Sequence, residues 1–109
     1  MGGPSVSSFY RGRSTDVEID ELVWLPANEA KLSHHGIDRV AVEGMIARGE
    51  WVVTTHEDYP DQVRVIGPTP DGRAVTVAMA PTGDPAAWRP VTGWDSTDGE
   101  RAYYWDQYR

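Results

Sequence analysis

The pattern of hydrophobic and polar residues changes period along the chain, and each change marks a predicted element. Residues 17–24 alternate with a period near two, apart from one slip, which predicts a strand. Pro26 suits the first turn of a helix, where its missing N–H would be unpaired in any case. This helix is predicted to end near His35, with Gly36 in the left-handed conformation and Ile37 folding back on the last turn.

A second helix and a series of short strands follow. Asp38 is a suitable N-cap for a helix from Arg39 to Arg48, which Gly49 would end. The apolar face of this helix is predicted to be narrow and consists of Val40, Ala41, Gly44 and Met45. Strands are predicted at Trp51–Val53, Val63–Gly67, Ala74–Ala80 and Arg89–Gly93. Pro90 favours an edge position or a strand start for the last of them.

A capping box opens the last predicted helix. Thr97 is its N-cap and Glu100 stands three residues later, so each side chain can accept a hydrogen bond from the other's backbone N–H. We expect Tyr104 to pack on the sheet with its hydroxyl at the rim. The order of strand, two helices, antiparallel strands and helix predicts an α+β fold. In it, two N-terminal helices and a C-terminal helix pack on one face of a curved antiparallel sheet.

Length and composition indicate one domain preceded by a short tail. Residues 1–14 are rich in Gly and Ser and are predicted to be a flexible N-terminal arm. Residues 15–109 are predicted to form a single domain, because a chain of 109 residues suffices for one modest core.

The chain contains no cysteine, which excludes disulfides, thiolate catalysis and cysteine-ligated zinc. Its three histidines do not have the spacing of a metal site, and no cofactor is predicted. No apolar run approaches the roughly 20 residues that a membrane-spanning helix needs. We therefore expect a cytoplasmic protein with no membrane partner.

The chain is acidic, with a net charge of -7 and an isoelectric point of about 4.7. This charge argues against general nucleic-acid binding, because contacts to phosphates need clustered cations. It leaves room for a small basic site within an acidic body. It also suits a protein whose partner is basic.

Short motifs follow one another in a fixed order over residues 17–104. They are Trp24, Asn28, Lys31 and His35–Gly36, then Arg64 with Gly67, then Gly72–Arg73, and finally Val91–Thr92 and Glu100–Arg101 with Tyr104. In this order and spacing they resemble the BrnT-like toxins, small ribonucleases of the RelE/ParE superfamily. The resemblance implies a RelE/BrnT-like fold and metal-independent cleavage of RNA. It also implies a cognate antitoxin as partner, of the ribbon-helix-helix type.

Two positions depart from the pattern of that family. Leu25 stands where the family often has an Asp, so a helix N-cap is lost. Thr92-Gly93-Trp94 stands where the family has Thr-Ala-Arg, so a cation for the phosphate is lost. Trp94 can stack on a nucleobase but cannot neutralise a phosphate.

RNA cleavage without a metal needs a base, an acid and cations that stabilise the charge on phosphorus. The resemblance implies that the catalytic candidates are His35, Arg64, Arg73, Glu100, Arg101 and Tyr104. The candidate contacts to RNA are Lys31, which fits the family pattern, and Trp94, which departs from it but can stack on a base. The nuclease hypothesis requires these distant residues to meet in one cationic concavity of the sheet.

Each catalytic candidate also has a purely structural interpretation. His35 can cap the last carbonyls of its helix, although that end also favours the protonated imidazole of a general acid. Arg64 alternates with two valines, so it lies either on an open concave face or simply in solvent. Arg73 can be a solvated turn residue.

The candidates of the last helix have similar alternatives. The capping box satisfies Glu100, and Asp98 or Glu100 can neutralise Arg101. His56, among acidic neighbours, is interpreted as a solvated loop residue rather than a ligand.

Three hypotheses for the function remain. The first is a BrnT-like toxin of a type II toxin–antitoxin system, a metal-independent endoribonuclease neutralised by its antitoxin. The second is a non-catalytic protein-binding module on the same fold, favoured by the acidic charge, Leu25 and Trp94. The third is a small structural subunit whose exposed aromatic residues form an oligomer interface.

Overall fold

Six strands and three helices make up the part of the chain that the computed structural model describes, which is residue 3, residues 5–8 and residues 17–108. The strands are β1 (Ser5–Ser8), β2 (Glu21–Trp24), β3 (Val52–Thr55), β4 (Val63–Pro68), β5 (Ala74–Pro81) and β6 (Ala87–Asp95). The helices are α1 (Pro26–His34), α2 (Arg39–Arg48) and α3 (Asp98–Tyr108). The chain is therefore α+β, as predicted.

The six strands form one mixed sheet in the order β1-β2-β6-β5-β4-β3. All neighbouring pairs are antiparallel except β2 and β6, which run parallel. The prediction of a purely antiparallel sheet is therefore wrong. No hairpin links β2 to β6, since two helices and three strands lie between them, so their relative direction is not restricted to antiparallel.

Helices α1 and α2 cover one face of the sheet, which we call the helix-pair face. Leu32 of α1 and Met45 of α2 share a fully buried core with Val65 and Val77 of the central strands. Gly93 of β6 allows close approach of α1. A Cβ atom at this position would lie only 2.8 Å from Cδ2 of Leu32.

Helix α3 covers part of the opposite face, which we call the α3 face. Successive strand residues point to opposite faces, and Val65 belongs to the helix-pair core. The next residue, Ile66, packs instead with Val52 and with Tyr104 of α3. The prediction that all three helices lie on one face is therefore wrong, while the predicted packing of Tyr104 on the sheet is confirmed.

The ends of α1 and α2 confirm the predictions made from local residues. Gly36 has φ 76°, and the backbone N–H of Ile37 donates to the carbonyl of Leu32 at 2.9 Å, which closes the first helix. At the second helix, Asp38 accepts a hydrogen bond from the backbone N–H of Ala41 at 2.8 Å. Gly49 ends that helix, also with φ 76°.

The buried face of α2 differs from the predicted one. Val40 is 74% exposed, whereas Val42, Met45 and Ile46 are the buried residues. These three follow the i, i+3, i+4 spacing of a single helical stripe.

Pro90 lies in an interior strand, because β6 runs between β2 and β5. The predicted edge position is therefore wrong. Ala78 pairs with Thr92 and Met79 pairs with Pro90, so Val91 is an extra, bulged residue. Such a bulge interrupts the hydrogen-bond ladder where Pro has no N–H to donate.

Four residues of the predicted N-terminal arm, Ser5–Ser8, form β1 at the edge of the sheet and pair with β2. Apart from these and residue 3, the predicted arm lies outside the described residues. Within the described part of the chain, no helix is long and apolar enough to cross a membrane.

Candidate functional site

A buried carboxylate at the start of α3 organises the α3 face. Glu100 is only 6% exposed. Its oxygens accept hydrogen bonds from the backbone N–H of Thr97 at 2.9 Å and from Thr76 Oγ1 at 2.9 Å. They also accept from Trp94 Nε1 at 3.0 Å and from Arg64 Nη1 at 2.9 Å. We call these five residues the Glu100 network.

The predicted capping box is part of this network. The backbone N–H of Glu100 donates to Thr97 Oγ1 at 3.1 Å, which completes the reciprocal pair. Burial raises the pKa of Glu100, but the hydrogen bonds from Thr97, Trp94, Thr76 and Arg64 outweigh it and hold the pKa below its ordinary value. An ionised carboxylate with this many donors is suited to fixing its neighbours rather than to proton transfer.

Arg64 points away from the valine core, as its alternation with Val63 and Val65 predicted. Its side chain is 23% exposed, and its Nε donates to the carbonyl of Thr55 at 2.8 Å while Nη1 is bound to Glu100. The guanidinium group is thus held between β3, β4 and α3. Its Nη2 group makes no hydrogen bond within the described residues and remains available to a ligand.

Small side chains form the floor of the α3 face beside Arg64. Strand pairing brings Arg64 opposite Ala78 and places Trp94 opposite Thr76. Because directly paired residues share a face, these side chains lie on the same side as Ala80, two residues further along β5. Bulky groups at the rim therefore enclose a shallow floor.

His56 and Trp94 stand at this rim. Their ring centroids are 6.4 Å apart in an edge-to-face arrangement, and the ring of Tyr59 lies 5.1 Å from that of His56. The backbone N–H of Asp58 donates to Nδ1 of His56 at 3.2 Å. The neutral imidazole therefore carries its proton on Nε2.

The sequence interpretation of His56 as a solvated loop residue missed this placement. The available sequence signal was the spacing of two residues between Thr54 and His56. In the structure, Thr54 pairs with Arg64 across the sheet. Alternation along an extended strand thus predicts the same face for both. The acidic residues around His56 obscured that signal.

Arg73 lies in a different place and has a structural role. Its Nε donates to Oδ1 of Asp95 at 2.6 Å, and its Nη1 donates to the carbonyl of Gly36 at 2.6 Å. Nη2 reaches the carbonyl of His35 at 3.4 Å. These contacts fasten the end of α1 to the sheet, and we call them the Arg73 clamp. The hydrogen-bonded ion pair with Asp95 raises the pKa of Arg73 above its ordinary value.

His35 and Arg64 do not meet. His35 is exposed at the end of α1, on the helix-pair side of the sheet, with the ring of His34 5.9 Å away. Lys31 is exposed on the same helix. Arg64 is on the other face. The single concavity predicted to contain His35, Arg73 and Arg64 together is therefore not formed. Helix α1 packs on the helix-pair face, whereas the side chain of Arg64 lies on the α3 face.

The two remaining candidates make structural contacts on α3. Arg101 binds Asp98, the partner that the sequence suggested, and donates to the carbonyl of Ser96 at 2.5 Å. The hydroxyl of Tyr104 donates to the carbonyl of Glu50 at 2.8 Å. Both residues fix α3 and lie outside the group formed by His56, Trp94 and Arg64.

Residues 17–108 contain no cluster of three or more His, Asp or Glu side chains that could hold a metal ion. Comparison with protein families, with curated proteins and with solved structures found no match to this chain.

Proposed function

We propose that this chain is a BrnT-like toxin that cleaves RNA without a metal ion, and that its site is the α3 face. The observation that carries the proposal is the meeting of Arg64, Trp94 and His56 on one face of the sheet, around a floor of small, buried residues. The order of elements also supports it, since two helices, a four-strand antiparallel run and a C-terminal helix follow one another in the order predicted from the sequence.

The proposed reaction is attack of an RNA 2′-oxygen on the adjacent phosphorus. A 2′,3′-cyclic phosphate forms and the bond to the 5′-oxygen breaks. The 2′-hydroxyl proton passes to water. His56 acts in its protonated form, in which the hydrogen bond from Asp58 to Nδ1 has opened, and its Nε2 proton passes to the leaving 5′-oxygen, which returns the ring to neutral imidazole. The available Nη2 group of Arg64 stabilises the charge on the phosphorane. Trp94 stacks on a base beside the scissile bond.

The mechanism that the resemblance implied required His35 and Arg64 in one concavity, and it fails because the two residues lie on opposite faces of the sheet. The present proposal is a different one and depends on His56. His56 takes the place of His35 as the proton-transfer group, while Glu100 and Arg101 act as supports of the site. The cognate antitoxin, proposed to be a ribbon-helix-helix protein, neutralises the toxin by covering the α3 face. A basic partner would suit the acidic chain.

The test compares two histidine variants in an RNA cleavage assay with EDTA. His56→Gln is expected to lower the cleavage rate by about 100-fold or more, because proton transfer to the leaving group is lost. His35→Gln is the matched control and is expected to leave the rate unchanged. Loss of activity in His35→Gln together with full activity in His56→Gln would contradict the proposed site.

A second candidate function is a non-catalytic protein-binding module. The observation that favours it is that Glu100 already neutralises Arg64, while Trp94 stands where the resemblance implies an arginine. This candidate predicts no growth arrest when the chain is expressed alone, and no cleavage of RNA by the purified protein. Growth arrest that requires His56 would exclude it.

A further inference from the structure

Arg89 is an exception among the arginines of residues 17–108. Arg39, Arg48, Arg64, Arg73 and Arg101 each form an ion pair with a carboxylate. Arg89 forms none, and its Nε atom is buried without a hydrogen-bond partner. A buried N–H without an acceptor is costly in a folded protein, and more so on a charged group. The guanidinium of Arg89 is therefore a cation without a carboxylate partner within residues 17–108.

The sheet register puts Arg89 on the α3 face. It pairs with Ala80, while the adjacent Trp88 packs against the helix-pair core. Arg64 pairs with Ala78 from the other side of β5. The two arginines thus flank one strand that carries only small side chains on this face, with their own strands roughly 10 Å apart.

We propose that Arg89 is a phosphate-binding residue for a single RNA strand that crosses β5 on the α3 face. This inference rests on the proposed function and adds to it a second phosphate contact, away from the scissile bond. A planar guanidinium with free N–H groups binds two phosphate oxygens at once. The contact uses the Nη groups, because Nε has almost no accessible surface and neither water nor a phosphate oxygen reaches it.

The test measures binding of an oligodeoxynucleotide, which lacks the attacking 2′-hydroxyl and is not cleaved. In Arg89→Gln the affinity is expected to fall by about 10-fold, and the salt dependence of log K to flatten by about 0.7, the value of one phosphate contact to a single strand. Arg39→Gln is the matched control, since Arg39 is an arginine of α2 on the helix-pair face that is already bound to Glu43. It is expected to bind as the unchanged protein does.

A structural role for Arg89 makes a different prediction. Because its Nε has no partner within residues 17–108, Arg89→Gln is expected to leave the melting temperature unchanged or raise it. Arg89→Lys keeps the charge without the two-pronged geometry, and is expected to recover only part of the lost affinity. A large drop in melting temperature in Arg89→Gln, or full affinity in that variant, would overturn the inference.

The outcomes separate this inference from the proposed function. If the protein cleaves RNA and Arg89→Gln binds normally, the inference is wrong and the nuclease proposal stands. If binding depends on Arg89 but no RNA is cleaved, the phosphate site stands and the nuclease proposal fails. If the unchanged protein binds no oligonucleotide, the inference is wrong whatever its cleavage activity.

Discussion

Two arginines of this chain, Arg64 and Arg73, each bind a carboxylate and a backbone carbonyl, yet they lie in unlike surroundings. The partner of Arg64, Glu100, is 6% exposed and accepts four further hydrogen-bond contacts from its network. The partner of Arg73, Asp95, is 71% exposed. The comparison shows that two arginines from one set of sequence motifs have different roles. Arg64 belongs to a buried hydrogen-bond network on the α3 face, whereas Arg73 fastens the end of α1 at the surface.

The largest expected effect comes from removing the buried carboxylate. Glu100→Ala leaves the charge of Arg64 and the polar groups of Thr76 and Trp94 without their acceptor. It is expected to lower the free energy of unfolding by about 3–5 kcal/mol, as measured in urea. Glu57→Ala, at an exposed loop position, is the control and is expected to stay within about 0.5 kcal/mol. A loss below about 1 kcal/mol in Glu100→Ala would show that the network does not hold α3.

The next effect is a dependence of stability on pH. The pKa of Glu100 is lower in the folded protein than in the unfolded chain, so the folded state binds fewer protons. This contribution is present above the unfolded pKa of about 4.3 and is lost as the pH falls through the folded value. The free energy of unfolding is therefore expected to fall between pH 7 and pH 3 more steeply in the unchanged protein than in Glu100→Gln.

Asp71 provides an internal check on that measurement. Its pKa is also lowered, first by the hydroxyl of Thr69 and then by the backbone N–H of Arg73. Because Asp71 is present in both proteins, its effect cancels in the difference. Equal slopes in the unchanged protein and in Glu100→Gln would mean that the hydrogen bonds to Glu100 do not lower its pKa in the folded state.

A smaller effect is expected at the close contact beneath α1. Gly93→Ala introduces a Cβ atom 2.8 Å from Leu32 Cδ2 and 3.0 Å from the carbonyl oxygen of Thr76. The cost is expected to be about 1–3 kcal/mol, because the backbone oxygen cannot move as a side chain can. A neutral result in urea denaturation would show that α1 shifts freely on the sheet.

The smallest effect is expected for the exposed ion pair. A double-mutant cycle with Arg73→Gln and Asp95→Asn is expected to give a coupling energy of about 0.2–1 kcal/mol, since water competes for both groups. Denaturation of the four proteins at two salt concentrations measures it. A coupling as large as the loss in Glu100→Ala would remove the contrast between the two arginines.

Much of the local structure could be predicted from the sequence because the decisive contacts span only a few residues. The glycine ends of α1 and α2 and the capping box of Thr97 and Glu100 are examples. The contact between Glu100 and Arg64 spans 36 positions. It depends on the side of the sheet that α3 covers, which no local pattern records.

The candidate site was predicted only in part for the same reason. Alternation correctly separated Arg64 from its neighbouring valines, and the resemblance drew attention to Trp94. The position of α1 on the opposite face removed His35 from the site, and the acidic surroundings concealed His56. Pro90 lies in an interior strand, where composition alone favours an edge, and the bulge at Val91 accommodates its missing N–H.

The central claim is that ligands bind the α3 face and not the end of α1. The most direct measurement is an NMR titration with an oligodeoxynucleotide, following the indole N–H of Trp94 and the imidazole signals of His56 and His35. The account predicts saturable shifts at Trp94 and His56, with the signals of His35 unchanged. Shifts confined to His35 and the neighbouring residues of α1 would contradict it.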